Sequence, residues 1–224
     1  MASPARGGRS PEARAPLNRE RILVAAVELA DEAGIDKLSM RRLAQELGVE
    51  AMSLYYHVAR KDDLLEGMLE LVYGEMEPPT GHGDWRSDLR AAAISAHHAL
   101  LRHPWACNLL GTPATPSPSR LRWMDAVLGR LRAAGFSAEL THHAYHALDS
   151  HIVGFTLWVL PYLAITRERP DFAQQVVHQL PLAELPHLAE HIEYHMADKP
   201  TDTSEFDFGL ELLLDGLERL RERE

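Results

Sequence analysis

A chain of 224 residues with 46% hydrophobic and 25% charged residues is long enough for one large domain or two small ones, with a real core in either case. Its one cysteine, Cys107, excludes an internal disulfide and any paired-cysteine zinc or redox motif, which fits a reducing, intracellular home. The formal net charge of −10 argues against a chain-wide nucleic-acid surface, yet residues 1–62 hold 10 Lys and Arg against 9 Asp and Glu, so the acid surplus lies in the remainder.

Any attraction to phosphates must therefore be local, and screening over about 8 Å at physiological salt permits a basic patch on an acidic protein. In chain order, the tail "MASPARGGRSPEARAP" (1–16) is rich in Pro, Gly, Ser and Arg and is expected to be disordered. It lacks the apolar stretch of a signal peptide. The longest apolar run, Ile152 to Ile165, is short and interrupted by Pro161, so the reading is a cytoplasmic protein without a membrane segment.

From Leu17 to Ala33 apolar residues recur at three and four, which predicts an amphipathic helix ended by Gly34. Ser39 is suited to cap a second helix, Met40 to Leu47, that buries Leu43, Ala44 and Leu47; Gly48 then permits a left-handed corner. A third helix is expected over Glu50 to Tyr56, anchored by Leu54. A fourth starts near Lys61, with Asp62 and Asp63 in its first turn. "EPPTGHGD", Glu77 to Asp84, reads as a linker, so the expected division is a head over 17–77 and a larger domain over 78–224. Further helices are predicted at Trp85–Arg102, Trp105–Leu110, Ser119–Ala134, Ala138–Ala164, Leu185–Ala197 and Thr203–Arg223, with "GTPATPSPS" and "RERPD" as loops. "FAQQVVHQLP" is left open between loop and a turn of helix. No strand pattern or internal repeat is present, so the fold class is all-α.

With Leu43, Leu47, Val49 and Leu54 committed to the core, the residues Ala51, Met52, Ser53, Tyr55, Tyr56 and His57 spread over the other faces of the third helix. Small residues near the helix start and hydroxyls beyond fit a helix laid in the major groove, the helix-turn-helix arrangement. Residues 21–68, "RILVAAVELADEAGIDKLSMRRLAQELGVEAMSLYYHVARKDDLLEGM", resemble the DNA-binding head of the tetracycline-repressor (TetR) family in order and spacing. The segments "HPW", "LLGT", "AAGFS" and "FDFGLELLLDGLERL" resemble the effector domain of the tetracycline repressors themselves.

The resemblance implies that Arg41, Ala51, Met52 and Ser53 face bases and that Tyr55, Tyr56, His57 and Lys61 hold phosphates. Arg41 can offer a guanine edge two hydrogen bonds, worth about 1–3 kcal/mol of discrimination. Where the repressors use a polar residue and a proline, this chain has Ala51 and Met52, so a different operator sequence is expected. The last helix carries apolar residues around more than one stripe, which calls for burial against its own domain and against a second chain. A homodimer reading a palindromic operator follows, and the resemblance implies a four-helix bundle made with the helix at Ala138–Ala164.

The resemblance also implies an effector pocket, but the repressors' magnesium-binding histidine is Leu109 here, and their other drug-contacting positions read Ala92, Ala96 and Glu77. What remains is apolar and aromatic: Leu101, Trp105, Leu109, Trp123, Val127, Phe155 and Trp158, with His146 as a polar anchor. That set suits a bulky, largely apolar small molecule and no cofactor. The expected mechanism is a population shift in which the ligand favours a form with weaker operator affinity. The alternative reading draws on the thirteen histidines, with His142 and His146, and His187, His191 and His195, at helical i, i+4 spacing: a metal-binding protein or metal-responsive regulator. No nucleophile elbow, phosphate loop or HExxH motif supports an enzyme.

Overall fold

The computed structural model describes residues 16–110, 117–169, 171–196 and 204–224, and among these every regular element is helical. The expected tail lies almost wholly outside the described residues. Eleven α-helices follow in order: α1 (Arg19–Ala33), α2 (Met40–Leu47), α3 (Ala51–Tyr55), α4 (Lys61–Gly74), α5 (Trp85–Arg102), α6 (Pro104–Leu110), α7 (Pro118–Ala133), α8 (Ala138–Glu168), α9 (Phe172–Val177), α10 (Pro186–Met196) and α11 (Glu205–Arg221). The chain divides into two compact units after Met68, inside α4, a few residues before the linker that composition marks.

In the first unit α1 starts at Arg19 because Asn18 caps it, its side chain accepting from the Arg21 amide at 2.8 Å. Ser39 caps α2 as expected, accepting from the Arg42 amide at 3.2 Å. Gly48 takes φ +65°, and the Val49 amide returns to the Ala44 carbonyl at 3.0 Å, closing the corner between α2 and α3. Ile22, Leu43, Leu54, Val58, Leu64 and Met68 fill the core. Arg19 clamps the unit from outside: its guanidinium reaches the Asp63 carboxylate at 2.7 and 3.2 Å and the His57 carbonyl at 3.3 Å. The hydrogen bond from Arg19 holds the Asp63 carboxyl below its ordinary range.

The second unit is organised on α8, which packs against α5, α6, α7 and α11. Leu140, Ala144, Leu148 and Ile152 of its first half are buried, whereas Leu157, Trp158, Tyr162, Leu163 and Ile165 of its second half are exposed. Pro161 does not end the helix, which continues to Glu168, a turn past the expected Ala164. A proline removes one amide and crowds one carbonyl, a cost that the surrounding turns of a 31-residue helix tolerate without breaking. By length and composition α8 is apolar enough to cross a membrane; here its first half supplies the core of a helical unit.

Prolines and serines set the other starts: Pro104 at the first position of α6, Ser117 capping α7, Ser137 capping α8 and Ser204 capping α11. The undecided "FAQQVVHQLP" segment holds the short helix α9. The expected last residue of α10, Ala197, and first residue of the final helix, Thr203, lie outside the described residues.

Two polar devices lock the unit. The Arg130 guanidinium binds the buried Asp88 carboxylate at 2.6 Å and the Gly83 carbonyl at 2.7 Å, while Thr80 donates to Asp88 at 2.8 Å, which fixes the segment after Glu77. Arg86 and Arg90 on α5 form a ladder of ion pairs to Asp207, Glu211, Asp215 and Glu218 on α11, at 2.5 to 3.5 Å. Their half-exposed setting makes each pair a contribution of about 0.2–1 kcal/mol, so alignment of the helices is their larger effect.

Candidate DNA-reading head and effector cavity

Helix α3 has five residues, and only Leu54 among them is buried. The rest of the surface follows from that single anchor. Met52 is 70% exposed and Tyr56, just past the helix, 87%. Tyr55, His57, Arg41 and Lys61 are exposed as well, and Ala51 and Ser53 are half-buried. A tyrosine that leaves most of its ring in solvent gains nothing from the core, and its hydroxyl is free to act outside the molecule. Arg41 stands on α2, Ala51, Met52, Ser53 and Tyr55 on α3, Tyr56 and His57 in the turn after it and Lys61 at the start of α4, all within one unit.

In the second unit a cavity of about 780 Å³ lies among α5, the second half of α8, α10 and the start of α11. Its wall includes His97 and Leu101, then Phe155, Trp158 and Tyr162, then Phe206. Among the described residues Glu205 is the sole acidic residue on the wall, and no Lys or Arg is present there. The volume matches pockets for drug-sized ligands, and an aromatic wall with few polar groups is the usual chemistry of such sites.

The polar feature is a relay. His97 Nδ1 stands 2.7 Å from Thr156 Oγ1, which donates to the Ile152 carbonyl at 2.6 Å. The His97 ring stacks on Phe206 at 4.0 Å between centroids and 6° between planes, and the His151 ring stacks there too, at 4.8 Å and 25°. His151 Nε2 donates to the Phe206 carbonyl at 3.0 Å. A Cβ on Gly209 would meet the His151 ring at 2.6 Å, so glycine at that position lets the imidazole lie against α11. Burial, reinforced by the neighbouring His98 and His151, pushes the His97 pKa down to about 4, so the ring is neutral at physiological pH.

Of the eight ligand-site residues expected from sequence, Leu101, Phe155 and Trp158 line this cavity. Trp123 and Val127 instead border a separate space of about 10 Å³, with Ala92 and Ile152. Trp105 is buried in α6 and Leu109 half-buried near its end. His146 is exposed on α8, its ring 4.6 Å from that of His142. Sequence reasoning did not single out His97, Tyr162 or Phe206. Their signal was faint, because His97 was one histidine among thirteen and Phe206 read as core. Among the described residues no group of three or more His, Cys, Asp or Glu could hold a metal ion; the His195 side chain is outside them.

Two family models match the chain. Residues 22–68 match "Bacterial regulatory proteins, tetR family" and residues 77–221 match "Tetracyclin repressor-like, C-terminal domain". An HTH-type transcriptional regulator of Saccharopolyspora erythraea is 40% identical over 139 residues, which is 62% of this chain and 59% of that protein, so the match spans little more than half of that relative. The HTH-type transcriptional repressor DrrR1 of Streptomyces coeruleorubidus is 35% identical over 213 residues, covering 91% of this chain and 78% of that protein. Among solved structures, the Streptomyces coelicolor TetR family protein ActR in complex with actinorhodin superposes with a TM-score of 0.72 at 28% identity, covering 92% of this chain and 99% of that one.

Proposed function

The chain belongs to the TetR family of bacterial regulators, and on that premise we propose that it is a homodimeric repressor released from a palindromic operator when a bulky, largely apolar molecule enters the cavity among α5, α8, α10 and α11. It is a ligand-responsive DNA-binding regulator and not an enzyme, and it works in the cytoplasm, where the chromosome is. The observation that carries the effector reading is the 780 Å³ aromatic cavity itself. A packed domain has no structural use for a space of that size, and the ActR complex gives a relative of the same fold that holds an organic ligand.

The roles in the head are those that the family resemblance implies, and the chemistry of the residues suits them. Arg41 reads a base edge, Ala51, Met52 and Ser53 approach the groove floor closely, and Tyr55, Tyr56, His57 and Lys61 fix the register on phosphates. Five-residue α3 makes few contacts, so one head alone discriminates weakly and two heads on half-sites are needed. The second half of α8 and the outer face of α11 leave Leu157, Phe208, Leu212 and Leu220 exposed, the apolar faces that pair with a second copy. Effector binding lowers operator affinity by its differential affinity for two conformations of the dimer.

The test is selection of bound duplex from a random pool at two salt concentrations. A palindromic motif whose affinity falls steeply with salt is expected, followed by release on addition of compounds that fill the cavity. A pool without enrichment would sink the reading.

A further inference from the structure

On the cavity wall, His97 presents a ring nitrogen that has no hydrogen-bond partner among the described residues. Thr156 Oγ1 lies within hydrogen-bond distance of two groups, the Ile152 carbonyl at 2.6 Å and His97 Nδ1 at 2.7 Å, and a hydroxyl has one hydrogen. A carbonyl only accepts, so two oxygens 2.6 Å apart require that hydrogen between them. The threonine is thereby used up as a donor. His97 Nδ1 must carry its own hydrogen and donate it to Thr156, and the neutral ring then has a bare lone pair on Nε2. His97 is 7% exposed, and no hydrogen bond to Nε2 occurs among the described residues. That lone pair is available to a donor that enters the cavity.

The other walls define what carries that donor. One face of the His97 ring is taken by Phe206, so a ligand meets the imidazole at its edge, while Phe155, Trp158 and Tyr162 offer aromatic surface beside it. Among the described residues the wall has Glu205 and no Lys or Arg, so a carboxylate or sulfonate would enter without a counter-charge from them. We propose that His97 is the hydrogen-bond acceptor that selects the effector, and that the effector is an uncharged polycyclic aromatic compound bearing a hydroxyl group. This rests on the reading of the cavity as the effector site. It adds the ligand class and the residue that sets it.

The full-length protein is titrated with three fluorescent probes: 1-hydroxypyrene, 1-methoxypyrene and pyrene-1-carboxylate. The hydroxyl compound is expected to bind about 5- to 10-fold more tightly than the methoxy compound, the difference one neutral hydrogen bond makes. The carboxylate is expected to bind weakest. His97→Phe keeps a ring against Phe206 and removes the acceptor, so the hydroxyl preference should fall to about 1-fold while methoxy binding holds. A second measurement does not depend on that variant folding: imidazole nitrogen NMR of the unliganded wild-type protein should show His97 protonated at Nδ1 and bare at Nε2. A hydrogen found on Nε2, equal affinity for the first two probes, or a preference that survives His97→Phe would each overturn the role of His97, while operator release by the same probes would leave the effector cavity standing. If none of the three binds, the cavity reading and this proposal fall together, and the DNA-binding assignment is untouched.

Discussion

Tyr56 is 87% exposed, so on the proposed phosphate role its removal separates binding from stability. Tyr56→Ala should weaken selected and scrambled duplexes alike, by about 1 kcal/mol, with thermal stability within about 0.5 kcal/mol of the parent. Arg41→Ala should cost about 1–3 kcal/mol on the selected operator and less on the scrambled one. Titration of both duplexes at one fixed salt concentration checks the contrast; equal losses in the two variants would contradict the division between base and phosphate contacts. These exposed residues were legible in the sequence because Leu54 and the Gly48 corner leave α3 no freedom in which face it buries. Of the cavity residues, Leu101, Phe155 and Trp158 were legible, but His97, Tyr162 and Phe206 were not. His97, Phe155 and Phe206 belong to three helices separated by about fifty residues each, and their meeting depends on helix packing that no local period encodes.

Helix boundaries were legible where a cap or a glycine specifies them, as at Ser39, Gly34 and Ser137. They were misjudged by a residue where a proline has two uses: Pro104 and Pro118 open helices that were expected to start just after them. Glycines within helices show the same ambiguity, resolved by what surrounds them. At Gly67 in α4 a Cβ would lie 2.5 Å from Leu23 Cδ2, whereas at Gly129 in α7 nothing stands within 4 Å. Gly67→Ala should therefore lower the melting temperature, since overpacking of about 1–3 kcal/mol outweighs the gain in helix propensity. Gly129→Ala should raise stability by up to about 1 kcal/mol. Thermal unfolding of the two variants beside the parent distinguishes them, and a stabilised Gly67 variant would show that α1 yields more readily than its packing indicates.

For the whole molecule, the acid surplus of the second unit and the near-neutral head make operator binding a local electrostatic event on a net-negative protein. Dimerisation supplies what one short α3 cannot. Leu212 is 55% exposed within one protomer, so Leu212→Arg should fold normally, sediment as a monomer and lose most of its affinity for the palindrome while retaining weak binding to a half-site. A variant that remains dimeric would place the interface elsewhere. The two-domain, all-α organisation was readable because amphipathic periods and one Pro/Gly-rich linker carry it; the volume and position of the effector space were not, because an empty space has no residues of its own.

The contrast between the halves of α8 bears on how such a regulator changes over generations. Leu140, Ala144, Leu148 and Ile152 hold the unit together, whereas Trp158, Tyr162 and Leu163 border the cavity from exposed positions. Substitutions at these exposed positions escape the penalty that core residues impose, so on the proposed effector reading descendants can drift to new chemical signals while the scaffold survives. One helix thus divides its length between a conservative portion, which selection can only preserve, and an experimental portion, in which the vocabulary of inducing compounds is free to be rewritten.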